Sequence, residues 1–296
     1  MFSPLGFQEM SQPKRERLFP IIINSSGLVD TPNNNIYRYR FPAGSVVFNN
    51  ARVAIQTINI YYSWFNITSE YNNNQFSIVF PTLAGSTTLN ITIPDGFYDI
   101  DSLNAYLQQI FITNGLYLVN STSDNVYYAE FKVNPSSYSI QFNSYPVPTA
   151  LPMGWTNPAG MTFPLVASTP LLIVPNNNFT KIIGFNAGTY PAVFQPTTYS
   201  KTSDFTPQVS PVQSVVLACS LLNNKYSNPN TILYTFSPEG TPFGSVISSS
   251  PNYPPFVDIQ NGNYNEFEIR FLDQNFNDLK ILDTNLIVQL MISIIE

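Results

Sequence analysis

Apolar residues recur at helical spacing in one stretch. Between Ile93 and Asn114 they fall at Ile100, Leu103, Leu107, Ile110 and Phe111, the stripe of a helix facing a core. The spacing predicts a helix over residues 99–113. Asp99 stands at its N-cap, and Asp101 adds negative charge near the positive end of the dipole. Tyr98 and Leu103 are placed to form a hydrophobic staple. Pro94-Asp95-Gly96 makes a turn before it, and Thr87–Ile93 alternates like a strand.

Elsewhere the pattern is strand and loop. Leu18–Asn24 is a short apolar run, Ile36–Phe41 alternates, and Ala51–Asn66 is long, β-branched and aromatic, with no Gly or Pro. The last alternates at Val53, Ile55, Thr57 and Asn59, and its length requires a bend or passage between two sheets. Gln75–Phe80 with Thr87–Ile93 forms a hairpin, and Tyr127–Val133 and Tyr138–Phe142 follow the helix. This ββαββ order predicts a helix on one face of a small antiparallel sheet. Tyr145–Thr169 is proline-rich loop, Asn178–Phe185 is a short apolar turn that closes the unit, and Pro191–Val212 is a return connection. Five further strands are expected at Gln213–Leu222, Thr231–Phe236, Phe243–Ser248, Asn265–Leu272 and Leu286–Ile295.

Three strands before the α+β unit and five after it make the eight of a jelly roll. The expected fold is mainly β: a single jelly-roll sandwich made of residues 18–68 and 206–296, with an inserted α+β domain at residues 69–205. Residues 1–17, ending in the basic cluster Lys14-Arg15-Glu16-Arg17, are expected to be a flexible arm. The alternative is two sequential domains split near residue 200, which would leave the first strands without a partner sheet.

Composition narrows the function. Charged residues are 10% of the chain and the net charge is −6, so the surface is covered by Asn, Ser, Thr and Gln. Such a surface suits wide contact with other proteins, since few charges need desolvating. It suits nucleic acid poorly, and nucleic acid is expected, if at all, only at the arm. There is no histidine and one cysteine, Cys219. This excludes His-based triads, Cys-His dyads, zinc sites of His and Cys, and an internal disulfide. Cys219 lies in an apolar strand and is expected to be a small buried hydrophobe. Asn-X-Ser/Thr occurs at Asn24, Asn66, Asn90, Asn120 and Asn178, as chance allows in so Asn-rich a chain. With no hydrophobic N-terminal signal and no apolar run of about 18 residues, neither secretion nor a membrane span is expected.

Four constellations invite chemistry. Asp273, Asn275 and Asn277 resemble the start of a calcium loop, but its sixth position is Asp278 rather than Gly and its twelfth is Thr284 rather than Glu. A turn explains the same residues. Glu266 and Glu268 share a strand face about 7 Å apart, a separation glycosidases use, though a solvated face is the simpler account. Asp99 and Asp101 have sufficient work at the helix start. Trp64 and Trp155, among many Tyr and Phe, are candidates for sugar stacking. No phosphate-binding loop or nucleophile elbow is present. No enzyme and no cofactor are expected.

Several stretches carry a family resemblance. Ile93–Leu107 (IPDGFYDIDSLNAYL) and Phe179–Phe185 (FTKIIGF) resemble an α+β module of viral minor structural proteins. Pro242–Gly244, Asn261–Gln274 (NGNYNEFEIRFLDQ) and Leu286–Ile292 (LIVQLMI) are similar to the penton proteins of virophages and polinton-like viruses. The resemblance implies a vertex protein of an icosahedral virion, with five copies forming each capstone. It implies the major capsid protein and other minor capsid proteins as neighbours, assembly in the host cytoplasm, and no catalytic residues. A sugar- or receptor-binding jelly roll, or a phage tail or baseplate component, is the alternative.

Overall fold

The computed structural model describes residues 16–295. The expected arm lies outside the described residues except for Glu16 and Arg17, which already belong to the first strand. The first strand therefore takes in two residues before the apolar run, because Glu16 and Arg17 pair with Ile295 and Ile294.

Three long strands come first: β1 (Glu16–Asn24), β2 (Ile36–Arg40) and β3 (Ala51–Tyr61). Next come β4 (Gln75–Thr82), β5 (Gly85–Thr92), α1 (Ile100–Thr113), β6 (Ala129–Asn134) and β7 (Ser139–Ser144). They are followed by β8 (Leu171–Val174), α2 (Phe179–Ile183), β9 (Gly188–Tyr190) and β10 (Tyr199–Thr202). The chain ends with β11 (Val215–Cys219), β12 (Ile232–Phe236), β13 (Val246–Ser249), β14 (Glu266–Asp273) and β15 (Leu286–Ile295). Two compact units result, one running up to Trp64 and resuming at Val212, the other Phe65–Pro211.

The first unit holds two large antiparallel sheets, in the orders β1-β15-β3-β13 and β12-β11-β14-β2, and a small pairing of Val46–Phe48 with Gly262–Tyr264. Counting only these eight strands along the chain, the orders are 1-8-3-6 and 5-4-7-2, the jelly-roll arrangement. Alternate residues point inward: Val288, Leu290 and Ile292 on β15, and Phe267, Ile269 and Phe271 on β14, are all buried. Tyr37 meets Phe271 edge-on at 6.0 Å.

β3 departs from the expected alternation. Its inward row is Val53, Ile55, Ile58 and Ile60, all buried, while Thr57 and Asn59 sit on the other face. The cause is a bulge: Gln289 pairs with Thr57 but Leu290 with Ile55, so Gln56 is an extra residue and inside and outside exchange there. β3 ends at Tyr61 and stays in one sheet.

The second unit is α+β, inserted between β3 and β11. α1 forms as its sequence predicts. The Asp99 side chain accepts the Ser102 N–H at 2.8 Å, and Ile100, Leu103, Leu107 and Phe111 are buried while Ile110 is half-buried. Tyr98 sets its ring against Tyr106, 6.2 Å away. The expected single sheet is instead two, β9-β8-β4-β5 and β10-β7-β6. β8, an apolar run, takes the free edge of β4, and β10, inside the presumed return connection, takes that of β7. α1 packs on β6.

The apolar turn near Phe179 is a short helix, α2. It ends at Gly184, whose φ of 73° suits glycine. A Cβ there would clash with the Phe205 carbonyl oxygen. Gly184→Ala therefore combines a left-handed backbone with a backbone clash, and should cost more than about 2 kcal/mol by thermal melting. We also expect the sandwich to fold without its insert. A chain with residues 65–211 replaced by a short linker should keep a β-type circular dichroism spectrum and melt cooperatively, and an unfolded product would refute that division.

Candidate interaction surfaces of the sandwich

The loop after β14 is organised by Asp273. One carboxylate oxygen accepts the N–H groups of Asn275 at 2.7 Å and Asn277 at 2.9 Å, and the other accepts the Asn277 side-chain amide at 3.1 Å. Phe276, at the tip, has a φ of 64°. Both oxygens of Asp273 are thus engaged by the turn itself, and Asp278 points to other partners. Among the described residues no group of three acidic or sulfur ligands gathers.

Glu266 and Glu268 face two arginines across the β14–β2 ladder, where Glu266 pairs with Arg40 and Glu268 with Arg38. Arg38 reaches Glu268 at 2.6 Å and Glu266 at 3.4 Å, and Arg40 reaches Glu266 at 3.0 Å. Farther along β14, Arg270 binds Asp278 with two parallel bonds of 2.7 and 2.6 Å. Both glutamates are thus paired with guanidinium groups. Hydrogen bonding to Glu268, followed by the charge of Glu266, pushes the Arg38 pKa up. Burial works against the Asp278 charge. Even so, Arg270 and the buried Asn35, which donates at 2.8 Å, hold its carboxyl below the ordinary value.

The outward face of the first sheet is different. Between its ends it presents Ile22, Ile287, Gln289, Met291, Thr57 and Asn59, none charged. Charge returns at one end, where Arg52 pairs with Glu16 at 3.3 Å and lies over the Phe256 ring.

The remaining sequence candidates are structural. Trp64 is 2% exposed, 4.7 Å from the Tyr62 ring, and offers no sugar platform. Trp155 packs against the core of the second unit. Cys219 is buried, which pushes its thiol up to about 12. Asp99 is held below the ordinary value by its bonds to Ser102, and Asp101 is exposed.

One network has no signature in the sequence. Glu130 accepts from Tyr145 at 2.6 Å, Lys132 at 2.9 Å and Asn143 at 3.1 Å. Only the register of β6 with β7, placing Glu130 opposite Asn143, brings these residues together. Burial opposes the Glu130 charge, yet the three donors hold its carboxyl below the ordinary value. Burial and then the bond to Glu130 push Tyr145 up to about 12.

No protein-family model matches this chain, and no curated protein is similar to it in sequence. Solved structures do resemble it. One is the crystal structure of the mavirus penton protein, with a TM-score of 0.49 and 10% identity over 96% of this chain and 100% of that one. Another is the Sputnik virophage at 3.5 Å by cryo-EM, with a TM-score of 0.39 and 12% identity over 96% and 98% of the two chains. Among the described residues, no helix is long and apolar enough to cross a membrane.

The depressed Asp278 value has a signed consequence. Its stabilisation is complete above the carboxyl's unfolded value and is lost as pH falls through the lower folded value. Asp278→Asn should cost about 1 kcal/mol at pH 7. That difference should shrink toward zero in acid, as read from urea unfolding at a series of pH values.

Proposed function

We propose that this chain is a structural capsid protein. In this reading it is a penton whose homopentamers close the five-fold vertices of an icosahedral virion and contact the major capsid protein, with assembly in the host cytoplasm and no catalytic role. The observation that carries the reading is where the penton-like stretches lie. Asn261–Gln274 spans β14 and Leu286–Ile292 lies in β15, the two strands whose inward rows build the jelly-roll core. The resemblance thus falls on strands that build the core of the sandwich.

The surface chemistry supports the same reading. The Glu266 and Glu268 carboxylates are paired with Arg38 and Arg40, and Asp273 is bonded within its own turn. The sandwich has one ionic outward face and one that is uncharged between its ends, as suits a subunit whose work is contact.

Native mass spectrometry of the purified chain should give a species five times its 33.2 kDa, and antibody labelling of intact particles should mark the vertices. A monomer at every concentration, a trimer or hexamer, or absence from particles would contradict the reading.

A further inference from the structure

Residues 1–15 lead directly into β1, which borders the outward face of the first sheet. At the far end of β1 that face holds a groove of about 370 Å³, lined by Asn24, Ser25, Asn59, Tyr61, Val246 and Ile287. Val246 and Ile287 are 45% and 49% exposed there. Charge stands at the opposite end, where β1 begins. Leu18 pairs with Ser293 and Ser293 with Arg52, and cross-strand partners share a face. Arg52 therefore belongs to the outward row that starts at Leu18.

The leading segment carries the complementary order. Residues 1–8 hold Phe2, Leu5 and Phe7 and no charge, Glu9 is the first acidic residue, and Pro13, Lys14 and Arg15 follow. Proline is favoured at the second position of a reverse turn, so Pro13 suits a turn over residues 12–15. Such a turn sets residue 12 level with residue 15 and sends the preceding chain back over the sheet. Counted at equal rise from there, Glu9 comes level with Leu18 and the Arg52 row. Phe7 comes level with Pro20, Leu5 with Ile22, and Phe2 with Ser25 at the groove. The reach suffices, since ten residues separate Phe2 from Gln12 and ten separate Arg15 from Ser25, about 34 Å each when extended.

We propose that residues 1–12 fold back over the outward face of their own first sheet. Phe2 fills the groove, Leu5 and Phe7 lie over Ile22 and Pro20, and Glu9 meets Arg52. The apolar part of the segment then covers the uncharged part of the face, and its acid meets a cation. Tethering supports the contact within one chain, because a short linker holds the segment near the face at about millimolar effective concentration. While it is seated, that face is closed to other proteins.

The test uses the full chain carrying Phe2→Cys and Ile287→Cys under a mild thiol oxidant, with Phe2→Cys and Tyr226→Cys as the reference pair. Cys219 is buried and stays unreactive, and Tyr226 is fully exposed on the same unit. The Ile287 pair should form its disulfide at least tenfold faster than the reference pair. In a mixture of isotopically labelled and unlabelled chains, the linked peptides should come from one chain. Equal rates for the two pairs would mean an undocked segment, and links between labelled and unlabelled chains would place it on a neighbouring copy. Either result overturns the proposal. Melting temperatures close to wild type check that the variants fold. As a second measurement, adding Phe2→Asp and Leu5→Asp to Ile287→Cys should raise the rate of maleimide labelling at residue 287 at least fivefold. An unchanged rate would count against the dock.

Discussion

β15 lies between β1 and β3, and the two ladders it makes hold the sandwich closed. It ties Glu16 to Ile295 and Asn24 to Ile287 on one side, and Ala51 to Ile294 on the other. Val288, Leu290 and Ile292 beneath those ladders are buried, each contributing about 1.5–3 kcal/mol. These contacts join the ends of the described chain, so the entropy of closing the whole intervening length must be met before they form. The insertion is tolerable for the same reason. The connection from β3 to β11 leaves one sheet and enters the other, so lengthening it breaks no ladder, and closure entropy grows only slowly with length.

What could be read from the chain beforehand follows from how local each determinant is. α1 was legible because its stripe and its Asp99 cap all lie within one short stretch. β15 was legible in full because a nearly continuous apolar run has one natural place, the middle of a sheet. The parity of β3 was not legible: the bulge at Gln56 is fixed by pairing with β15, and nothing in ARVAIQTINIY marks where the alternation slips. The two sheets of the second unit were hidden for a related reason, since β10 (YSKT) is polar and becomes a strand only because β7 offers it an edge.

The surfaces repeat the lesson. Glu266 and Glu268 stood out as a pair, but the arginines that neutralise them come from β2, far away in sequence, and no spacing rule links the two. Glu130 gave no signal at all until β6 and β7 were in register. Two charge-free stretches, by contrast, are visible directly between Arg17 and Asp30 and between Glu239 and Asp258. Their meaning depends on topology, which places one gap at each side of the same sheet. The outward face of the second sheet carries the ladder of charges from Arg40 to Asp278, while the first sheet is uncharged between its ends.

All of this depends on the sandwich being one cooperative body closed by β15, distinct from the α+β unit it carries. Native-state hydrogen exchange tests that most directly. The amides of β1, β3 and β15 should exchange last and with a common opening energy, and those of α1 and β6 should form a second class with its own. A β15 that opens sooner than β14, or a single opening energy shared by β15 and α1, would contradict the account.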